Sequence, residues 1–167
     1  EIEKWANDSL KSIGLAKSSA VELMGDFGAM FLQFDVPTDQ AEEYSKKLTS
    51  LVTDLSTFYN SSTEETTRAL NSIFTGAVIP MQKYGATLTN TALQEFAASK
   101  GIEKKVSEMT EAEKVMLRYE KILQDTALSH GNYKREQDGA TASVSDFVET
   151  LKDLTTSFGE ELIPAIT

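Results

Sequence analysis

TDQAEEYSKKLTSLVTDLSTFYN, residues 38–60, is the stretch whose reading decides the fold. Its apolar positions Ala41, Tyr44, Leu48, Leu51, Val52, Leu55, Phe58 and Tyr59 step by three and four, the spacing that lines one face of an α-helix. Working outward, the same pattern recurs. Toward the C-terminus, Ser62 and Glu65 have capping-box spacing and open a helix through Ala69, Leu70, Ile73 and Phe74 that Gly76 ends. Thr91 with Gln94 starts another through Leu93, Phe96 and Ala97, closed by Gly101. Thr110 as N-cap with Glu113 opens a long one, about 110–130, along Val115, Met116, Tyr119, Ile122 and Leu123, with His130 and Gly131 at its end. A third long helix spans about 141–163, and Pro164 stops or bends it. Toward the N-terminus lie a helix around Trp5 to Ile13 and one from Ser18 to about Gln33, separated by Gly14.

No stretch alternates apolar and polar residues for long enough to demand a sheet, and the three prolines, Pro37, Pro80 and Pro164, act as punctuation. The expectation is an all-α chain of six to eight helices with short connections, a helical bundle or an extended helical array, with 1–167 as one helical segment. In the last helix Val144, Leu151 and Phe158 recur every seven residues with Phe147 and Leu154 between them. That is the seam of a short coiled coil or an intramolecular hairpin, and these five residues are the candidate helix interface. Serine and threonine number 34, many inside helical stretches, where their hydroxyls compete for the backbone. Such helices lean on partners for stability.

The chain of 167 residues carries 16 basic and 26 acidic side chains, a net charge of -10 that divides evenly between its halves. That balance argues against a nucleic-acid reader, since affinity for a phosphate backbone comes mainly from lysine and arginine. Zero cysteines exclude disulfides, thiolate nucleophiles and cysteine zinc sites, and the single histidine, His130, excludes any site needing two. His130 in the last turn of a helix reads as a capping or dipole residue. No G-x-S-x-G or S-x-x-K occurs, and Lys17-Ser18 lacks the glycine that a phosphate loop places before its lysine. Gly25 and Gly28 read as small residues that let two helices approach.

Acid pairs such as Glu42/Glu43, Glu64/Glu65, Glu111/Glu113 and Glu160/Glu161 lie mostly in first turns, where they favour the helix dipole. Adjacent acids on a helix diverge by about 100°, so a pair cannot share one metal or one substrate bond unaided. The expected catalytic, cofactor and metal sets are therefore empty. The apolar stretch Ala20 to Val36 contains Glu22, Asp26 and Asp35 without a basic flank, which fits a buried or partner-facing helix better than a membrane anchor. An opening on Glu1, with no signal-like segment, reads as a piece of a longer protein.

Local words add to these periodicities. In order they are Trp5-Ala6, Leu23-Met24-Gly25, Phe27-Gly28, Asp54 through Asn60, the Ser62/Glu65 cap, Ala69-Leu70, Phe74-Thr75-Gly76, Tyr84-Gly85, Leu117-Arg118-Tyr119, Ile122-Leu123-Gln124, Gly131-Asn132-Tyr133 and Phe158 through Pro164. In this order and spacing the chain resembles, nearly end to end, the helical core region of phage tail tape measure proteins. It departs from the family pattern at Asn132-Tyr133-Lys134-Arg135-Glu136 and at Ala77-Val78-Ile79.

The resemblance implies a structural, non-enzymatic segment that helps set tail length and organise tail tube assembly. It implies residence in the virion tail, and in the host bacterial cytoplasm during assembly. The implied partners are further copies of the chain, tail tube proteins and tail assembly chaperones, with neither sequence-specific nucleic acid nor membrane contacted by this segment. A fully helical extended chain of this length would span about 250 Å at 1.5 Å per residue. The alternative reading is a bacterial helical adaptor or scaffold module acting by protein–protein interaction. A peptidoglycan hydrolase rests only on acids carried by helices, such as Glu113 and Glu160.

Overall fold

The computed structural model describes residues 2–138, and among these it is all-α: eight α-helices, three 3-10 turns and no strand. The helices are α1 (Ile2–Ser12), α2 (Lys17–Gln33), α3 (Thr38–Phe58), α4 (Thr63–Leu70), α5 (Ser72–Thr75), α6 (Asn90–Ser99), α7 (Glu111–Asp125) and α8 (Asn132–Asp138). The third long helix expected over about 141–163 lies outside the described residues, and with it Val144, Phe147, Leu151, Leu154 and Phe158. Within the described chain the contacts gather into two compact units, one from residues 2–67 with 129–138 and one from 68–128.

In the first unit α2 packs along α3, α1 along α2, and α8 against α3. Helix α2 buries Ala20, Met24, Phe27 and Phe31, an i, i+4, i+7, i+11 stripe, and α3 answers with Ala41, Tyr44, Leu48, Leu51, Val52 and Leu55. Phe31 and Tyr44 meet edge to face at 5.6 Å between ring centroids. Burying a side chain such as Phe27 or Leu48 contributes about 1.5–3 kcal/mol, so this seam is the main source of stability here. Of the two glycines on α2, only Gly28 sits at the seam: a Cβ there would come to 3.4 Å from the Ser45 hydroxyl, whereas Gly25 faces open space.

The hydroxyls of α3 are satisfied inside their own helix. Ser45, Thr49, Ser50, Ser56 and Thr57 each donate to the carbonyl four residues back. Ser45 and Thr49 are wholly buried, and this back-bonding is what makes their burial tolerable. Asn60, at φ 51, ends the helix, and the Ser61 N–H returns to the Ser56 carbonyl at 2.9 Å. Asparagine tolerates that left-handed position better than most residues.

The helix expected to run from the Ser62 cap to Gly76 is interrupted at Asn71, giving α4 and α5. Leu70, Ser72, Ile73 and Phe74 are all buried. At about 100° per residue one face of a straight helix cannot bury four of five consecutive positions, and the break re-aims the second half.

In the second unit α7 packs against α5 and α6, with Val115, Met116, Leu117, Tyr119, Ile122 and Leu123 buried. Its start is as expected: Thr110 accepts from the Glu113 N–H at 3.2 Å while Glu113 accepts from the Thr110 N–H at 2.8 Å. It stops at Asp125, and a 3-10 turn over Ala127–Ser129 completes the stretch to His130. The start of α6 corrects the expectation. Thr89, not Thr91, is the N-cap, accepting from the Ala92 N–H at 3.2 Å. Gln94 instead accepts from the Val106 N–H at 2.9 Å, pinning the 3-10 turn Val106–Glu108 to α6.

Candidate functional site

The polar side chains that do most to join distant parts of the chain lie at helix ends, one group in each unit. In the first, Asp54 projects from the last third of α3 toward the start of α8, 77 residues away in sequence. One carboxylate oxygen accepts from the Gly131 N–H at 2.7 Å and the other from the Tyr133 N–H at 3.1 Å. A helix start leaves its first N–H groups without intrahelical partners, and a carboxylate there is favoured by both hydrogen bonding and the dipole. Asp54 thus caps α8 from another helix. One turn further along, the Asn132 side-chain amide donates to the Thr57 hydroxyl at 3.1 Å.

Two more contacts lock this junction. Gly14 takes φ 72, and a Cβ there would fall 2.2 Å from the Tyr133 ring, so the ring rests directly on the α1–α2 turn. Arg135 donates to the His130 carbonyl at 2.6 Å. Burial raises the Asp54 carboxyl above its ordinary range, opposed by the bonds from Gly131 and Tyr133 and by Arg135. Burial likewise pushes the His130 imidazole down from 6.5 to about 4, and the neighbouring Arg135 charge adds to this. Of the capping or dipole role expected of His130, a ring held neutral at pH 7 cannot supply the charge that the dipole half needs.

In the second unit Arg118, on α7, reaches the end of α5. Its guanidinium donates to the Ile73 carbonyl at 3.1 Å. It also covers Gly76, whose φ of 74 ends the helix and where a Cβ would lie 2.9 Å from an arginine nitrogen. Glu111 stands 3.9 Å from the same guanidinium.

Of the acid pairs singled out in sequence, Glu111/Glu113 and Glu42/Glu43 are each bound to separate lysines, and Glu160/Glu161 lies outside the described residues. Lys114 binds Glu111 at 2.9 Å, and Lys104 binds Glu113 at 2.7 Å. These hydrogen bonds hold both carboxyls below their usual range. Glu42 and Glu43 pair with Lys46 and Lys47, one turn on. Among the described residues no group of three His, Cys, Asp or Glu side chains is placed to hold a metal ion. No helix among them is long and apolar enough to cross a membrane. An open cleft of about 350 Å³ lies between the start of α6 and the 3-10 turn at 106–108, lined by Asn90, Thr91, Gln94, Val106, Ser107 and Lys114. Its one charged side chain, Lys114, is already paired with Glu111.

Both junctions join words that the sequence holds far apart: the Asp54 word meets Gly131-Asn132-Tyr133, and Phe74-Thr75-Gly76 meets Leu117-Arg118-Tyr119. Asp54 and Arg118 were not singled out as site residues from sequence, since a lone acid and a lone arginine within helices carry no local signal of a distant partner. Searches against protein-family models, curated proteins and solved structures return no match to this chain.

Proposed function

We propose that this chain is a structural, non-enzymatic segment of a phage tail tape measure protein, helping to set tail length and organise the tail tube through contacts with copies of itself, tube subunits and tail chaperones. The observation that carries this reading is the order and spacing of the family-like words from Trp5 to Pro164. The all-α architecture supports it, as does the use of the chain's charged and polar groups in caps and helix-to-helix ties. Asp54 is a cap, Arg118 closes a helix end, and Glu111 and Glu113 are lysine-bound.

The test is made in the phage or prophage that encodes the chain. Deleting the codons for residues 1–167 in frame should shorten the assembled tail by up to about 250 Å, in proportion to the helical length removed. Tails of unchanged length in electron micrographs would overturn the proposal. The adaptor alternative predicts that the encoding gene lies outside any tail cluster and that tail morphology does not depend on it.

A further inference from the structure

We propose that α8 is a strap that opens under tension, coming away from α3 before the core of either compact unit gives way. The inference starts from connectivity. Residues 68–128 form their own unit, while the chain before and after them, 2–67 and 129–138, forms the other. The stretch 68–128 is therefore inserted between the two described parts of the first unit. While α8 is seated, a pull between α2 and the end of α8 crosses the first unit only, through the α2–α3 seam and then the α3–α8 junction. The insertion bears tension only after α8 has left.

The two steps on that path differ in kind. The α2–α3 seam is apolar and continuous, with Ala20, Met24, Phe27 and Phe31 buried against the stripe of α3. In α8 no side chain from Asn132 to Glu136 is fully buried. The hydrogen bonds between its start and α3 include two that Asp54 accepts, from the Gly131 and Tyr133 N–H groups, and one that the Asn132 amide donates to Thr57, with the Tyr133 ring set on Gly14. Because water replaces them, such hydrogen bonds each contribute less net stability than a large side chain buried in the apolar seam. The short polar junction yields first. Its opening frees residues 129–138, a gain of about 30 Å at roughly 3.5 Å per residue, and leaves both cores intact. This property of the fold does not rest on the tape measure reading, and either can fail without the other.

The test is single-molecule stretching of the full chain, which has no native cysteine to interfere. Handles are attached through Lys17→Cys, at the exposed start of α2, and Asp138→Cys, at the end of α8. The expected record begins with a reversible lengthening of about 30 Å, followed at higher force by longer steps. Asp54→Ala should lower the force of the first step markedly, since it removes both carboxylate bonds to the start of α8, and leave the later steps in place. Asn132→Ala, a milder change that spares the Asp54 cap, should lower it less and provides the same comparison if Asp54→Ala does not fold. A first step of about 200 Å, the length the insertion would release, would overturn the proposal. So would simultaneous unfolding of the whole first unit, or a first-step force that neither variant changes.

Discussion

His130 shows how far a residue's role depends on where its neighbours come from. Beside Gly131 at a helix end it has the position of a cationic cap, yet burial and Arg135 bring its pKa to about 4 and keep it neutral. The folded pKa lies below the unfolded value of 6.5, so the neutral ring contributes stability that is complete above pH 6.5 and is lost as pH falls toward 4. Asp54 acts in the opposite sense, because its folded pKa is raised and the folded state takes up a proton earlier than the unfolded one. The thermal midpoint of the first unit should therefore fall between pH 6.5 and 4, and His130→Gln should flatten that fall. The contribution is on the order of 1–3 kcal/mol, less than the full shift implies because the ring keeps some contact with solvent. Denaturation curves at half-unit pH intervals measure it; equal pH slopes for the parent and His130→Gln would exclude the assignment.

At the scale of the element, most helices follow from spacing alone. Positions 38–58 keep one apolar face for almost six turns, and Thr110 with Glu113 makes both halves of the cap that their spacing predicts. The start of α6 shows the limit of such rules. Thr91 and Gln94 have capping-box spacing, but Thr89 lies two residues earlier and the Gln94 side chain is drawn to the Val106 N–H. Thr89→Ala should cost about 1 kcal/mol of stability, while Thr91→Ala, at an exposed helical position, should cost a few tenths at most. Urea denaturation of the two variants distinguishes the assignments, and a larger loss for Thr91→Ala would restore the local reading. Helix α8 is the other departure. Asn132-Tyr133-Lys134-Arg135-Glu136 has no apolar stripe to announce a helix, and it is held by a cap supplied from Asp54. A window on the sequence that contains α8 does not contain its N-cap.

For the whole molecule, the described residues gather into two units, with the stretch 68–128 lying along the chain between the two parts of the first. The candidate interface of Val144, Phe147, Leu151, Leu154 and Phe158 belongs to this scale as well. On the proposed function it is a seam between copies, so Leu151→Asp should turn an oligomer into a folded monomer, as read by light scattering and circular dichroism together. A parent that is already monomeric, with a Leu151→Asp variant that unfolds, would make the seam internal. That outcome would remove one support for self-association while leaving the ordered words untouched.

The sequence by itself determined the helical class, the faces of α2, α3 and α7, and the absence of cysteine chemistry. Each is a property of composition or of residues within a few turns of one another. Tertiary structure alone decided the roles of Asp54, Arg118 and His130, the break at Asn71, the cap of α6 and the division into two units. For Asp54, Arg118 and the start of α6 the deciding partner lies well outside the local turn: Gly131 and Tyr133 for Asp54, Ile73 for Arg118, Val106 for Gln94. A buried N–H or carbonyl takes whatever partner the fold brings within about 3 Å, and distance along the chain does not enter into that choice.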